Sequence, residues 1–182
     1  MTATTQQARA QSQAQDQVQS HVIACLVENK PGVLYEVANM FRRRNFNIDS
    51  ISVGAVEQSD MARMTIAVKG DEWTIEQVIK QLNKLIDVVK VNELDFHDAV
   101  IREMALVKVH TADSNARTEV IQYTGIFRGQ IIDVAPDSLI IEVTGDSDKI
   151  DAFIELTRHF GLNELARTGI TALARGGKAI RE

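Results

Sequence analysis

Apolar and polar positions follow two alternating rhythms along this chain. Residues 21–27 hold an almost unbroken apolar run, Val22 to Val27, the mark of a buried strand. Glu28-Asn29-Lys30-Pro31-Gly32 interrupts it. Val33, Leu34, Val37, Ala38, Met40 and Phe41 then recur at helical spacing on one face. Arg42, Arg43 and Arg44 fall in the last turn of that helix, where cations suit the negative end of the dipole. Asn45 is expected at the left-handed position just past the helix, which Asn fills second only to Gly. Strands are predicted over 47–56 and 61–69, joined by a turn at 57–60. A helix near 72–83 presents Ile75, Val78, Ile79 and Leu82 on one face. A fourth strand covers 88–96. The order is β-α-β-β-α-β, the split unit of ferredoxin-like folds.

The rhythm then repeats. A strand is predicted over 103–110, followed by a helix capped at Asp113 or Ser114 and reaching residue 123. Strands 130–134 and 139–144 form a hairpin across Ala135-Pro136-Asp137. Ser147 opens a helix with Ile150, Phe153, Ile154 and Phe160 on its apolar face, and Gly161 ends it. A last strand is placed at 168–173. The chain therefore reads as α+β, with two ferredoxin-like βαββαβ domains in tandem. They are assigned to residues 21–97 and 98–182, joined near 97–102, with 175–182 frayed at the end.

Composition adds a third segment. Residues 1–20 carry seven glutamines and almost no large apolar side chain. Such a stretch cannot bury enough surface to offset chain entropy, so it reads as a disordered tail. It lacks the apolar stretch of a signal peptide, and no run approaches the ~20 apolar residues that span a bilayer. A cytoplasmic chain is the expectation. The formal net charge of −5 argues against a nucleic-acid partner. The run Arg42–Arg44 has no interleaved aromatic residues and is explained by the helix end it occupies.

The search for reactive chemistry returns little. His21, His97, His110 and His159 pair neither with one another nor with Cys25 at a metal-ligand spacing. No glycine-rich phosphate loop and no nucleophile elbow is present. Cys25, the lone cysteine, sits inside the first apolar run and reads as a small buried hydrophobe. The informative place is the first strand-to-helix turn. Free backbone N–H groups at a helix start attract a carboxylate. Gly32 lets a ligand approach the backbone, Pro31 fixes the turn, and the Asn29 amide can serve both a carboxylate and an ammonium. That suits a free amino acid, although the same residues also make a sound turn with no ligand.

Asn47 opens the second predicted strand, at the opposite end of the sheet from Asn29, roughly a strand length of ~20 Å away. A two-fold dimer pairing two such units edge to edge would bring Asn29 of one copy near Asn47 of the other.

The segments 28–34 and 41–54 resemble an ACT domain, and more narrowly the small regulatory subunit of acetolactate (acetohydroxyacid) synthase. Arg63-Met64-Thr65-Ile66, residues 81–91, residues 102–109, Ile126-Phe127-Arg128-Gly129-Gln130-Ile131-Ile132-Asp133-Val134 and Ala166-Arg167-Thr168-Gly169 extend the likeness over about 21–176. The resemblance implies a chain without a catalytic site of its own. Its partner would be a large catalytic subunit carrying thiamine diphosphate, a divalent metal and in some cases FAD. The small subunit would raise that partner's activity and confer feedback inhibition by valine or another branched-chain amino acid. It implies a homodimer with the effector held by Asn29, Lys30, Pro31, Gly32, Val33 and Leu34 of one copy and Asn47 and Ile48 of the other. Asn45 stands where the family usually has glycine, and Glu36 where many members have arginine; the glutamine-rich tail is an addition. Two other classes fit the same fold: a free-standing amino-acid sensor that controls transcription or another metabolic enzyme, and a small ferredoxin-like enzyme. The first needs a DNA-binding module or a different partner and the second a reactive cluster, and the sequence displays neither such a module nor such a cluster.

Overall fold

The computed structural model describes residues 19–57 and 60–180. The glutamine-rich tail lies outside the described residues except for Gln19 and Ser20, which begin the first strand rather than a tail. Two sheets, each backed by a pair of helices, give two βαββαβ units in tandem.

In the first unit, β1 (Gln19–Glu28), α1 (Val33–Arg43), β2 (Ser50–Ala55), β3 (Met61–Gly70), α2 (Glu72–Leu82) and β4 (Val88–Leu94) follow in chain order. The sheet order is β2-β3-β1-β4, with every neighbouring pair antiparallel. β1 is central and buried on both faces from Val22 to Val27, which is why its sequence shows no alternation. Ile23, Cys25 and Val27 meet Met64, Ile66 and Val68 of β3 and the inner faces of Val33, Val37, Phe41, Ile75, Val78 and Leu82 from the helices.

The end of α1 shows local chemistry dictating local shape. Asn45 has φ +56°, the left-handed conformation expected of it. Its N–H donates to the Arg42 carbonyl at 3.2 Å, and the Phe46 N–H donates to the Phe41 carbonyl at 3.0 Å. The rings of Phe46 and Phe41 meet edge-on at 6.3 Å, the apolar clasp that accompanies this helix stop. The chain is thereby turned toward β2, which begins at Ser50, so Asn47 lies in the approach to the strand rather than within it.

The second unit contains β5 (Ala99–His110), α3 (Ser114–Ile126), β6 (Gln130–Val134), β7 (Ser138–Gly145), α4 (Ser147–Arg158) and β8 (Leu162–Arg167). Its sheet order is β6-β7-β5-β8, and a short β9 (Thr171–Ala174) also pairs with β5. Phe153, Ile150 and Val120 pack on Ala105, Val107, Val109, Leu139, Ile141 and Val143.

Three expectations are corrected. The closing strand of the second unit is β8, antiparallel to β5 through Val107↔Leu165, not residues 168–173. Its largely exposed sequence, half of it polar, hid it, and the apolar run from Ile170 drew the assignment downstream. The proposed linker at 97–102 is a 3-10 turn, Phe96–Asp98, running directly into β5 at Ala99. Residues 175–180 are tied down: the Arg175 N–H donates to the Asp98 carbonyl at 2.8 Å, and Lys178 pairs with the Asp98 carboxylate. By compactness the chain divides into Met1–Ala99 with Ala172–Glu182, and Val100–Thr171.

Candidate functional site

β1 delivers the chain to the turn at Glu28. There the backbone is pinned on two sides. The Glu28 N–H donates to the Asp87 carbonyl at 2.9 Å, and the Asn29 N–H donates to the Asp60 carbonyl at 2.7 Å. The Lys30 ammonium lies 2.7 Å from both the Asp87 and the Glu28 carboxylates. Hydrogen bonding to Asp87 and then to Glu28 pushes its pKa up to about 12. Lys30 is thus committed to bracing the turn. Nothing in the residue pattern marked Asp60 and Asp87 as the braces, because each is an ordinary turn aspartate in sequence.

Gly32 follows at φ +96°, a conformation that glycine adopts without strain, and it occupies the cap position of α1. The other three helices described here are each capped by an aspartate. Asp71 accepts from the Thr74 N–H, Asp113 from Asn115 and Ala116, and Asp146 from Lys149, all at 2.8–2.9 Å. Among the described residues only α1 begins with no side-chain cap. A Cβ built on Gly32 would meet no atom within 4 Å, so the helix start opens onto free space. The first N–H groups of α1 therefore point at solvent with the positive end of the dipole behind them.

The corresponding turn of the second unit is closed. Asp113 fills the cap, and the Arg117 guanidinium donates to the Ala135 and Pro136 carbonyls, each at 2.6 Å, and to Thr111 Oγ1 at 3.3 Å. The two units share a topology but not a vacant helix start.

The side chains around the open turn divide sharply. Asn29, Lys30, Pro31 and Gly32 are exposed. Leu34 is 48% exposed and lies beside the opening, whereas Val33 is 2% exposed and belongs to the core, so Val33 can offer only its backbone. Asn47 and Ile48 are elsewhere. The Asp49 N–H donates to the Ala67 carbonyl at 2.9 Å, while Glu28 stands opposite Met61. Six residues of β3 thus separate the two ends, about 20 Å at a strand's rise. Asn47 Nδ2 donates to Asp49 Oδ1 at 3.3 Å, and Ile48 packs against the core edge. One chain brings Asn29, Lys30, Pro31, Gly32 and Leu34 together and leaves Asn47 and Ile48 at the far end. β2, which connects those ends, is the edge strand of its sheet and exposes Val53 at 47%.

Other chemistry is sparse. Among the described residues no group of three or more His, Cys, Asp or Glu side chains could hold a metal ion. Burial pushes the Cys25 thiol up to about 12, leaving it protonated at neutral pH. No helix among the described residues is long and apolar enough to cross a membrane.

Comparison with known proteins agrees with this layout. Residues 23–90 match a family model described as an AHAS small subunit-like ACT domain, and residues 102–176 match one described as the small subunit of acetolactate synthase. A probable acetolactate synthase small subunit from Methanothermobacter thermautotrophicus is 57% identical over 161 residues, covering 88% of this chain and 96% of the relative. The acetolactate synthase small subunit of Aquifex aeolicus is 50% identical over 159 residues, 87% of this chain and 83% of the relative. The crystal structure of an acetolactate synthase small subunit from Thermotoga maritima superposes with a TM-score of 0.82 at 48% identity, covering 88% of this chain and 99% of that one.

Proposed function

Because this chain belongs to the family of acetolactate synthase small subunits, the regulatory subunits of that enzyme complex, we propose that it activates a thiamine diphosphate-dependent large subunit and confers feedback inhibition by a branched-chain amino acid, valine first. The uncapped start of α1 at Gly32 carries the reading. It offers free N–H groups to a carboxylate in the one unit whose helix start is not already closed by its own aspartate. Asn29 supplies a polar amide beside it, and the exposed Leu34 an apolar wall for a branched side chain.

The second half of the site comes from another copy. Two chains paired through the edge strands β2 in antiparallel fashion bring Asn47 and Ile48 of one to the Gly32 turn of the other. The exposed Val53 on that strand supports the pairing. A homodimer then carries two equivalent sites at the ends of its shared edge. Thiamine diphosphate, a divalent metal and, in some members, FAD belong to the large subunit, and the complex works in the cytoplasm.

Inhibition follows from linkage. The effector must bind the inhibited arrangement more tightly than the active one, since equal affinity shifts nothing. A coupling of about 1–3 kcal/mol changes the effective affinity about 5- to 150-fold. Titrating valine, leucine and isoleucine separately into the chain reconstituted with a matching large subunit tests the reading. Loss of acetolactate formation with at least one of them is expected. Unchanged turnover with all three, together with no heat of binding to the chain alone, refutes it.

A further inference from the structure

Residues Ala172–Glu182 group with the first unit rather than the second. The Arg63 guanidinium donates to the Ala172 carbonyl at 2.8 Å, and Asp98 anchors Arg175 and Lys178 beyond it. Between this segment and strands β3 and β4 lies a groove of about 660 Å³, within the ~300–1,000 Å³ of small-molecule sites. Asn92 and Leu94 line it from β4, and Leu173, Lys178 and Ile180 from the C-terminal segment. Arg63 sits between Ala62 and Met64, both of the helix-side core, so it projects from the opposite face of the sheet into this groove.

The charges in the groove are unequally matched. Lys178 is taken by Asp98, and the Glu93 carboxylate by His21 at 2.7 Å. The Arg63 guanidinium donates to the Ala172 carbonyl, and among the described residues its buried Nε–H has no acceptor. Desolvation holds its pKa below the ordinary guanidinium value, and among the described residues no carboxylate acts to restore it. One uncompensated cation in a partly apolar cleft calls for one negative charge on an apolar body.

We propose that this groove binds an aliphatic monocarboxylate lacking an amino group, with Arg63 holding the carboxylate and Leu94, Leu173 and Ile180 lining the hydrocarbon. An amino acid is disfavoured because Glu93, the acidic residue that borders the groove, stands opposite Ile23 on the helix side of the sheet, where His21 engages it. The site is separate from the Gly32 turn and stands without it.

The test is a methyl-resolved NMR titration of the full chain with isovalerate, 2-oxoisovalerate, L-valine and inorganic phosphate. Either acid should shift the methyls of Leu94, Leu173 and Ile180. Arg63→Gln should weaken that binding at least ~10-fold, the worth of a charge-assisted bond. Ile180→Asp, in the C-terminal segment, should weaken it without touching the sheet. Gly32→Asp should leave it intact, so a failure at the amino-acid turn is distinguishable from a failure here. No shift with either acid at millimolar concentration, equal binding by the Arg63→Gln chain, or the same methyls moved as strongly by valine or phosphate would overturn the proposal.

Discussion

Replacing Gly32 by aspartate tests the open helix start most directly. The new carboxylate would stand where the effector's carboxylate is proposed to sit. Two like charges about 4 Å apart repel by about 1 kcal/mol in water and about 4 kcal/mol near a protein surface. Gly32 is exposed, so roughly 1–3 kcal/mol applies. The aspartate would also occupy the N–H groups offered to the ligand, removing about 1 kcal/mol more. Valine affinity should therefore fall about 30- to 1,000-fold. The fold should tolerate the change. A side chain at φ +96° costs about 1–2 kcal/mol, the new cap returns up to about 1 kcal/mol, and the added Cβ meets nothing within 4 Å. Gly32→Ala is the control, since it carries the backbone strain without the charge or the cap. It should be the less stable variant and the tighter valine binder of the two. Calorimetric titration, thermal unfolding and activation of the large subunit report the three quantities separately. If the aspartate chain binds valine within threefold of the parent, or if alanine weakens binding as much as aspartate, the electrostatic reasoning is wrong.

Other perturbations probe separate links. Val53→Asp places a charge on the exposed edge of β2 and should convert dimers to monomers in sedimentation, with valine binding lost in parallel. Cys25 titrates near 12 when folded against 9.0 for a free thiol, so the unfolded chain releases its proton first. Its contribution is intact below pH 9 and falls as pH rises toward 12, by about 2 kcal/mol at pH 10.5. Urea unfolding at pH 8 and 10.5 should show that loss in the parent and not in Cys25→Ala. Glu103 is 6% exposed and accepts from Arg167 at 2.8 Å and from Ser147. Arg167→Met should cost about 2–4 kcal/mol by stranding that carboxylate, and adding Glu103→Gln should recover part of it in the same denaturation assay.

Much of the architecture was legible because local chemistry and global fold agree. The apolar run from Val22, the helical spacing from Val33 to Phe41 and the left-handed Asn45 each point to one solution. β8 escaped because an edge strand with mostly exposed residues lacks the alternation that a half-buried strand displays. The anchoring of the C-terminal segment escaped because it rests on single polar contacts to distant residues, Arg63 and Asp98. At the turn, Gly32 could be picked out from its place before a helix. That Lys30 braces the loop, and that Leu34 stays exposed beside the buried Val33, depends on side-chain directions that spacing does not encode.

The ~20 Å between Gly32 and Asn47 has a genetic corollary. If each pocket borrows its two halves from different polypeptides, a chain crippled at Gly32 and a chain crippled at Asn47 are complementary lesions. Mixed as heterodimers, they gather both defects at one end and restore an unblemished pocket at the other. Two insensitive proteins would then regain valine response on subunit exchange, in proportion to the mixed species formed.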